Sequence, residues 1–424
     1  MLMNELEWRG NIQDMTDAEG IARFLGTRGN GVYAGFDPTA ESLHVGNLLV
    51  LTTLVRMQRC GLRPIFLLGG ATGMIGDPSG KDVERQLIDT TTVAAQAEMI
   101  GGQIEAFVRR NTGTAPVLRN NYHWFKDINT MEFLRDVGKH FSVNAMLNKE
   151  SVRGRIDREG EGISYTEFSY MLLQSFDFLH LFREEGCRMQ IGGSDQWGNI
   201  TSGIDLIRRA AGGRAFGITL PLLTTASGRK FGKSEGNAVF LNAEKTPVYH
   251  FHQFWLNTED RDAIRFLKLF TFLDRTVIAE LEAAVEERPH LREAQRRLAD
   301  EVTCMVHGRT ALDAVVGAAQ ALFGDGDLRA VDMAALRGAV SAAPSLVLGH
   351  GVPTDLCSLL VGLGMAQSRG QARRDAQGGG VYVNNRRVRD AAFVPTDADF
   401  LDGEMLIVRK GRKIHGVVSR ARAA

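Results

Sequence analysis

Cysteine is scarce in this chain. Four residues, at 60, 187, 304 and 357, form no C-x-x-C pair. That spacing excludes a zinc ribbon and a disulfide framework. Long apolar runs are missing too; none approaches the roughly 20 residues that a membrane span requires. Met1–Gly20 carries Glu5, Glu7, Asp14, Asp17 and Glu19 and lacks the apolar segment of a secretory leader, so a cytoplasmic protein with no membrane partner is expected. Internal repeats and low-complexity tracts are also wanting. There is no net charge, since 50 Lys and Arg balance 50 Asp and Glu. What is present, 44% hydrophobic and 24% charged residues over 424 positions, is ordinary globular composition, enough for two or three domains.

The zero total hides an asymmetry. From Gly351 onward the chain holds 12 basic and 7 acidic residues, leaving 38 and 43 before it. A basic end on a slightly acidic body suits a module that holds a polyanion, although a solvated charged surface gives the same count.

Alternation of strand and helix marks the first half. Gly31–Phe36 is a short apolar run closed by Asp37-Pro38, and Asn47–Cys60 has apolar residues at helical spacing before Gly61. Arg63–Leu68 then reads as a buried strand, completing a βαβ unit of a parallel sheet. A second such unit runs from Cys187–Ile191 through Gly192-Gly-Ser-Asp-Gln196 into a helix near Trp197. Residues 258–324 read as helical and 325–350 as a connector. Val381–Val383 and Met405–Val408 are expected strands of a small α+β unit.

Two glycine-rich stretches imitate phosphate loops without matching them. Gly70-Ala-Thr-Gly73-Met-Ile-Gly76 lacks the first spacing of G-x-G-x-x-G, and Gly76-Asp-Pro-Ser-Gly80-Lys81 is one residue short of a P-loop. Neither a nicotinamide or flavin enzyme nor a P-loop NTPase is supported.

Other segments carry more chemistry. His44-Val-Gly46-Asn47 opens a helix after the first strand, where phosphates bind, though a lone His is more often structural. Ser227-Gly-Arg-Lys230-Phe-Gly-Lys233-Ser234 is a cationic loop able to neutralise a triphosphate, or merely an exposed basic loop. Ser164 and Glu167 form a capping box opening an apolar helix, on which Tyr170, Gln174 and Asp177 make a polar stripe at i, i+4 and i+7. Burying that stripe requires partners, and a substrate with an ammonium and a phenol would supply them; periodicity alone favours a solvent-facing stripe.

Taken together, these segments resemble the class I aminoacyl-tRNA synthetases. His44-Val-Gly-Asn47 is similar to their His-x-Gly-His signature, with Asn47 for the second His. Lys230-Phe-Gly-Lys-Ser234 is similar to Lys-Met-Ser-Lys-Ser, with Phe-Gly for Met-Ser. Within the class, Tyr33-Ala-Gly-Phe-Asp-Pro-Thr39, Gly69–Lys81 and Gly192-Gly-Ser-Asp-Gln-Trp-Gly-Asn199 resemble the bacterial tyrosyl-tRNA synthetases. Tryptophanyl relatives share the sheet, but Tyr33 and Asp177 suit a phenol. Ser368–Arg374 and Gly380–Val388 resemble the RNA-binding module of a small-subunit ribosomal protein.

The resemblance implies a Rossmann-like, doubly wound parallel sheet over 1–225 and a signature lysine loop over 226–245. An α-helical domain over 246–325, a linker over 326–350 and a small α+β RNA-binding domain over 351–424 follow. It implies a ligase that makes tyrosyl-adenylate from L-tyrosine and ATP, with Mg²⁺ bound to the ATP and no metal held by protein side chains. Transfer to tRNA(Tyr) completes the reaction in a homodimer whose interface lies near 120–160; DNA is not a partner. Tyr33, Asp77, Tyr170, Gln174, Asp177 and Gln196 are the implied tyrosine ligands. Gly35, Asp37, Thr39, His44, Gly46, Asn47, Gly193, Asp195, Lys230, Lys233 and Ser234 are implied for ATP, with Lys81 and Arg85 joining the lysines on pyrophosphate. Arg369, Arg373, Arg374, Arg386 and Arg387 are implied for tRNA, the first three sharing a helix face. Removal of residues after about 350 is expected to spare tyrosine activation and weaken charging.

Overall fold

The computed structural model describes residues 2–79, 88–149, 152–153, 163–225, 231–234, 237–324, 326–349, 354–411 and 414–420, with the backbone alone at 233, 234 and 237. Two compact units emerge, Met1–Lys245 with Trp255–Val306, and Thr246–Phe254 with His307–Ala424.

The first unit is built on a six-stranded sheet. Its strands are β1 (Asp14–Met15), β2 (Gly31–Phe36), β3 (Arg63–Leu68), β4 (Val117–Asn120), β5 (Cys187–Gly193) and β6 (Phe216–Leu220), in the order β1-β6-β5-β2-β3-β4. All neighbours are parallel except β1 against β6. Burial on both faces explains the unbroken apolar runs of β2, β3 and β6, which lie among helices. Connections leave β2 toward β3 on one side and return through β5 on the other, so the strand order reverses between β2 and β5. Ligands of open parallel sheets bind outside the carboxyl ends at such a reversal. A further pair, β7 (Lys233–Ser234) and β8 (Asn237–Ala238), forms an antiparallel ribbon.

The helices that frame the crevice end as their sequences dictate. Val45–Arg59 is capped by His44 at one end and Cys60 at the other, with Gly61 in the left-handed region at φ 93°. Tyr165–Glu185 starts at Ser164, whose hydroxyl accepts from the Glu167 N–H at 3.2 Å, and stops at left-handed Gly186.

The second unit is a five-stranded sheet, β11-β10-β12-β13-β9, with β9 at Ser345–Leu348, β10 at Val381–Val383, β11 at Arg386–Arg387, β12 at Met405–Lys410 and β13 at Ile414–Arg420. Helices Leu356–Gly362 and Arg369–Gln377 cover one face through Leu359, Leu360, Ala372 and Ala376 against Val381, Val383, Leu406 and Val408. Leu322, Leu336 and Val340 cover the other face against Met405 and Ile407. Asn384 and Asn385, both at positive φ, turn β10 into β11 in two residues.

The expected connector is therefore not one. Residues 326–350 contain helix Met333–Val340, capped by Asp332, and strand β9, which pairs in parallel with β13. Its Ala- and Gly-rich composition reflects close packing of small residues: Ala335 and Gly338 are buried, and a Cβ on Gly338 would lie 3.3 Å from Tyr249 Cβ. The expected helical region also divides. Residues 246–254 and 307–325 fall with the second unit, where Tyr249 packs on Val315, Ala318 and Ala335.

Candidate active site

Strand β2 delivers Tyr33 and Gly35 to the crevice. Gly35 is exposed within an otherwise buried strand, and a Cβ placed on it would meet nothing within 4 Å. It leaves a bare floor over which a flat ligand can lie. Tyr33 is fully buried, packed on Phe178 at 5.1 Å, and its hydroxyl has no hydrogen-bond partner. An unmatched buried hydroxyl costs about 1–3 kcal/mol, so this one marks a place where a ligand's polar group belongs. Burial, together with the nearby Asp177 charge, holds the phenol well above its ordinary pKa, so it is a donor.

Asp177 lies on the inward face of helix Tyr165–Glu185 and is 2% exposed. Its carboxylate accepts from Asn121 Nδ2 at 3.0 Å and Trp124 Nε1 at 2.9 Å. Asn121 also accepts from the Ala71 N–H at 2.7 Å and donates to Thr72 Oγ1, while His180 stacks on the Trp124 ring at 4.2 Å. Burial pushes the Asp177 pKa up to about 8 despite those two donors.

One and two turns away the stripe continues. Tyr170 donates to Asp37 at 2.7 Å, and Thr72 Oγ1 donates to the other Asp37 oxygen at 2.8 Å. Burial, with Asp37 beside it, raises the Tyr170 phenol far above its usual range. Gln174 donates to Gln196 Oε1 at 3.1 Å and accepts from Asn199 Nδ2 at 3.1 Å. Gln196 donates to Asp77 at 2.6 Å and to Asp195 at 3.2 Å, and the Ser79 N–H donates to Asp77 at 2.9 Å. Carboxylates and amide oxygens predominate, an acceptor-rich wall fit for a cation. Gly193 allows the Asp195 carboxylate to fold back over the end of β5.

The glycine-rich stretch after β3 has a different job from a phosphate loop. Gly69 and Gly70 leave room for the Asp37 and Asn120 side chains, which a Cβ at either position would strike. Asp77 and Ser79 follow on the same segment.

His44 and Asn47 meet at the helix start. The Gly46 N–H donates to His44 Nδ1 at 3.0 Å, and the His44 N–H donates to Asn47 Oδ1 at 3.1 Å, a reciprocal capping box. Asn47 thus supplies a capping oxygen and retains its Nδ2 donors. Thr39 is exposed just before this helix. The second signature runs alongside. Val45 N–H donates to Val239 O at 2.9 Å, Val239 N–H to Gly232 O at 2.9 Å, and Leu241 N–H to Leu43 O at 2.8 Å. Lys81, Arg85 and Lys230 lie outside the described residues, as do the side chains of Lys233 and Ser234.

The polar stripe is legible in sequence, but its supports are not. Asn121 and Trp124 hydrogen-bond Asp177 from more than fifty positions away, and no periodicity joins them, whereas Thr72 and Ser79, which bond Asp37 and Asp77, lie inside the Gly69–Lys81 segment. Asn199 closes the expected Gly192–Asn199 segment and was available as a candidate.

In the second unit Arg373, Arg374, Arg386 and Arg387 are exposed. Arg369 is exposed as well, and it also pairs with Asp355 at 2.5 Å and with Ser358, linking one helix start to the next. Arg387 donates to the Tyr382 hydroxyl at 2.8 Å, and the Arg409 guanidinium lies 4.2 Å from that ring.

Comparison with known proteins agrees with this geometry. Residues 27–324 match the family model of class I tRNA synthetases (W and Y), and 336–418 match the tyrosine–tRNA ligase SYY-like C-terminal domain. The tyrosine–tRNA ligase of Bacillus caldotenax is 48% identical over 422 residues, covering 99% of this chain and 100% of the relative. That of Nocardia farcinica is 49% identical over 419, covering 97% of each. A C-terminally truncated Aspergillus nidulans mitochondrial tyrosyl-tRNA synthetase superposes with TM-score 0.66 at 32% identity, over 74% of this chain and 91% of that one. Plasmodium falciparum tryptophanyl-tRNA synthetase shares the fold at TM-score 0.54, 13% identity, and 74% and 86% coverage. A sheet that reverses at a crevice, an orphan phenol beside a buried carboxylate and near-complete coverage at this identity place the chain in the tyrosine–tRNA ligase family of class I aminoacyl-tRNA synthetases.

Proposed function

We propose the following roles for the residues of this ligase, which activates L-tyrosine with ATP and charges tRNA(Tyr). The substrate ring lies over Gly35, with its hydroxyl between Tyr33 and Asp177. Its ammonium meets Tyr170, Gln174 and Asp77, and Gln196 and Asp195 stand at the carboxylate and ribose end. The observation that carries this is the unpartnered Tyr33 hydroxyl beside Asp177, which a ligand hydroxyl at that depth would satisfy. The tyrosine carboxylate is already ionised and needs no base to attack the α-phosphate, so rate comes from alignment and from cancelling charge on the departing pyrophosphate. His44, Asn47, Thr39 and the Gly46 backbone take one side of the triphosphate. Lys230, Lys233, Ser234, Lys81 and Arg85 take the other.

Among the described residues no three His, Cys, Asp or Glu side chains converge as a protein-held metal would need. In this proposal Mg²⁺ arrives on ATP, and no step is assigned to it. Among those residues, too, no helix is long and apolar enough to cross a membrane; the enzyme is proposed to work in the cytoplasm.

Pyrophosphate exchange across the twenty amino acids tests the assignment. Exchange should require tyrosine; equal exchange with phenylalanine would remove Tyr33 and Asp177 from their roles. A homodimer is proposed through the 120–160 region, where Met131 is 73%, Val143 58% and Leu134 44% exposed. Changing Met131 and Val143 to aspartate should halve the mass seen in sedimentation; an unchanged mass places the interface elsewhere.

A further inference from the structure

The second signature departs from its usual form at the two residues between its lysines, and both departures have structural consequences. Phe231 enters an aromatic cluster with ring centroids 4.8 Å from Phe266, 5.6 Å from Phe270 and 5.7 Å from Trp255. Gly232 is buried at φ 87°, and a Cβ there would lie 2.9 Å from Val45 Cγ2, one residue from His44. A side chain at 232 is therefore opposed twice, by the left-handed backbone and by contact with the first signature.

The cluster is fixed to the same frame. Helix Asp260–Phe270, which carries Phe266 and Phe270, presents the carbonyls of its last turn and beyond to two buried arginines. Arg9 donates to Lys268 O at 2.9 Å and Thr271 O at 3.0 Å, and Arg56 donates to Thr271 O at 2.8 Å. Arg56 belongs to helix Val45–Arg59, whose first turn is the first signature. Burial lowers its pKa to about 9, and the carbonyls offset that cost. A closed circuit thus runs from Phe231 through Phe266 and Phe270 to Arg56, along the helix to Val45, and back to Gly232.

We propose that Phe231 and Gly232 are positioning residues that set the Lys233 backbone against the first signature, so that the serine usual at position 232 is incompatible with this frame. The proposal rests on Lys233 acting on the triphosphate. Phe231 is the anchor and Gly232 the zero-clearance contact; together they fix the distance between the two signatures. Restoring the usual residue should therefore harm the enzyme.

Gly232→Ser and Gly232→Ala are expected to lower kcat for tyrosine-dependent pyrophosphate exchange by about tenfold or more. Tyrosine binding, read by intrinsic fluorescence, should stay within about twofold, because the phenol pocket is untouched. Val45→Ala added to Gly232→Ala should recover about threefold by opening the contact. Phe231→Met, which adds nothing near Val45, should also lower kcat with tyrosine binding intact, and serves if the serine variant does not fold. Exchange at the parent rate by Gly232→Ser or by Phe231→Met overturns the proposal. So does equal loss of tyrosine binding and exchange, or no recovery with Val45→Ala. Lys233→Ala separates the two levels: parent-like exchange removes the lysine assignment itself, whereas its loss beside parent-like Gly232→Ser overturns only this inference.

Discussion

Asp177→Asn should lower kcat/KM for tyrosine by about 10²–10⁴-fold and leave the KM for ATP nearly unchanged. The carboxylate receives two donors, Asn121 Nδ2 and Trp124 Nε1, while an asparagine offers one oxygen and points an NH₂ at the other donor. One buried donor is stranded, and the substrate hydroxyl loses its acceptor. Phenylalanine makes no use of that acceptor, so its own slow exchange should change little and the preference for tyrosine should collapse. Equal losses for both amino acids would show a general collapse of the pocket.

The same carboxyl sets a pH dependence. Its pKa of about 8 in the free enzyme means that it is mostly neutral at pH 7. A substrate hydroxyl that donates to it favours the ionised form, so binding releases a proton below pH 8. Tyrosine KM should therefore fall as pH rises from about 6 to about 8, and this slope should vanish in Asp177→Asn. Stability runs the other way. Because the folded pKa exceeds the ordinary value of 3.8, the folded state holds an extra proton between the two, and stability declines as pH rises through that window. Asp177→Asn should flatten that decline in thermal unfolding measured across the same range.

Residues proposed to touch the substrate were easier to find than those that hydrogen-bond them. Tyr170, Gln174 and Asp177 share a face because a helix repeats every 3.6 residues, so spacing exposes them. Asn121 and Trp124 reach Asp177 from the end of β4, and only the packing of β4 beside β3 brings them there. Strands β2, β3 and β5 were legible as apolar runs between turn residues. Strand β9 was not, since its alternating exposure and its position beyond an Ala-rich helix read as a connector. Its partner β13 is contributed by residues about seventy positions later, and sequence spacing says nothing of such pairing. The two arginines that lock helix Asp260–Phe270 were likewise invisible: a buried guanidinium looks like a surface one until its carbonyl partners are in place.

That pairing changes how the basic end should be separated from activation. A chain cut after 350 would keep β9 without β13 and leave Leu322, Leu336 and Val340 without Met405 and Ile407. Such a product would expose that apolar face, so a loss of charging by it would not isolate the RNA contact. Charge removal on the intact fold is the cleaner operation. Arg373, Arg374, Arg386 and Arg387 are exposed, so replacing all four with alanine should cost little stability. If each meets a phosphate, the slope of log affinity for tRNA against log salt should shallow by about 4 units, with affinity near physiological salt falling by about 10²-fold or more. Tyrosine-dependent pyrophosphate exchange, which involves no tRNA, should proceed at the parent rate while aminoacylation at limiting tRNA slows in proportion. Arg369 is a control of the opposite kind. Its guanidinium is exposed but already paired with Asp355 and Ser358, so Arg369→Ala should cost little stability and leave the salt slope nearly unchanged. A shallower slope from Arg369→Ala, or an unchanged one from the fourfold variant, would move the RNA contact off β11 and the outer helix face. On the expected outcome the RNA contact lies with exposed side chains on one sheet edge and one helix, independent of where the chain is cut.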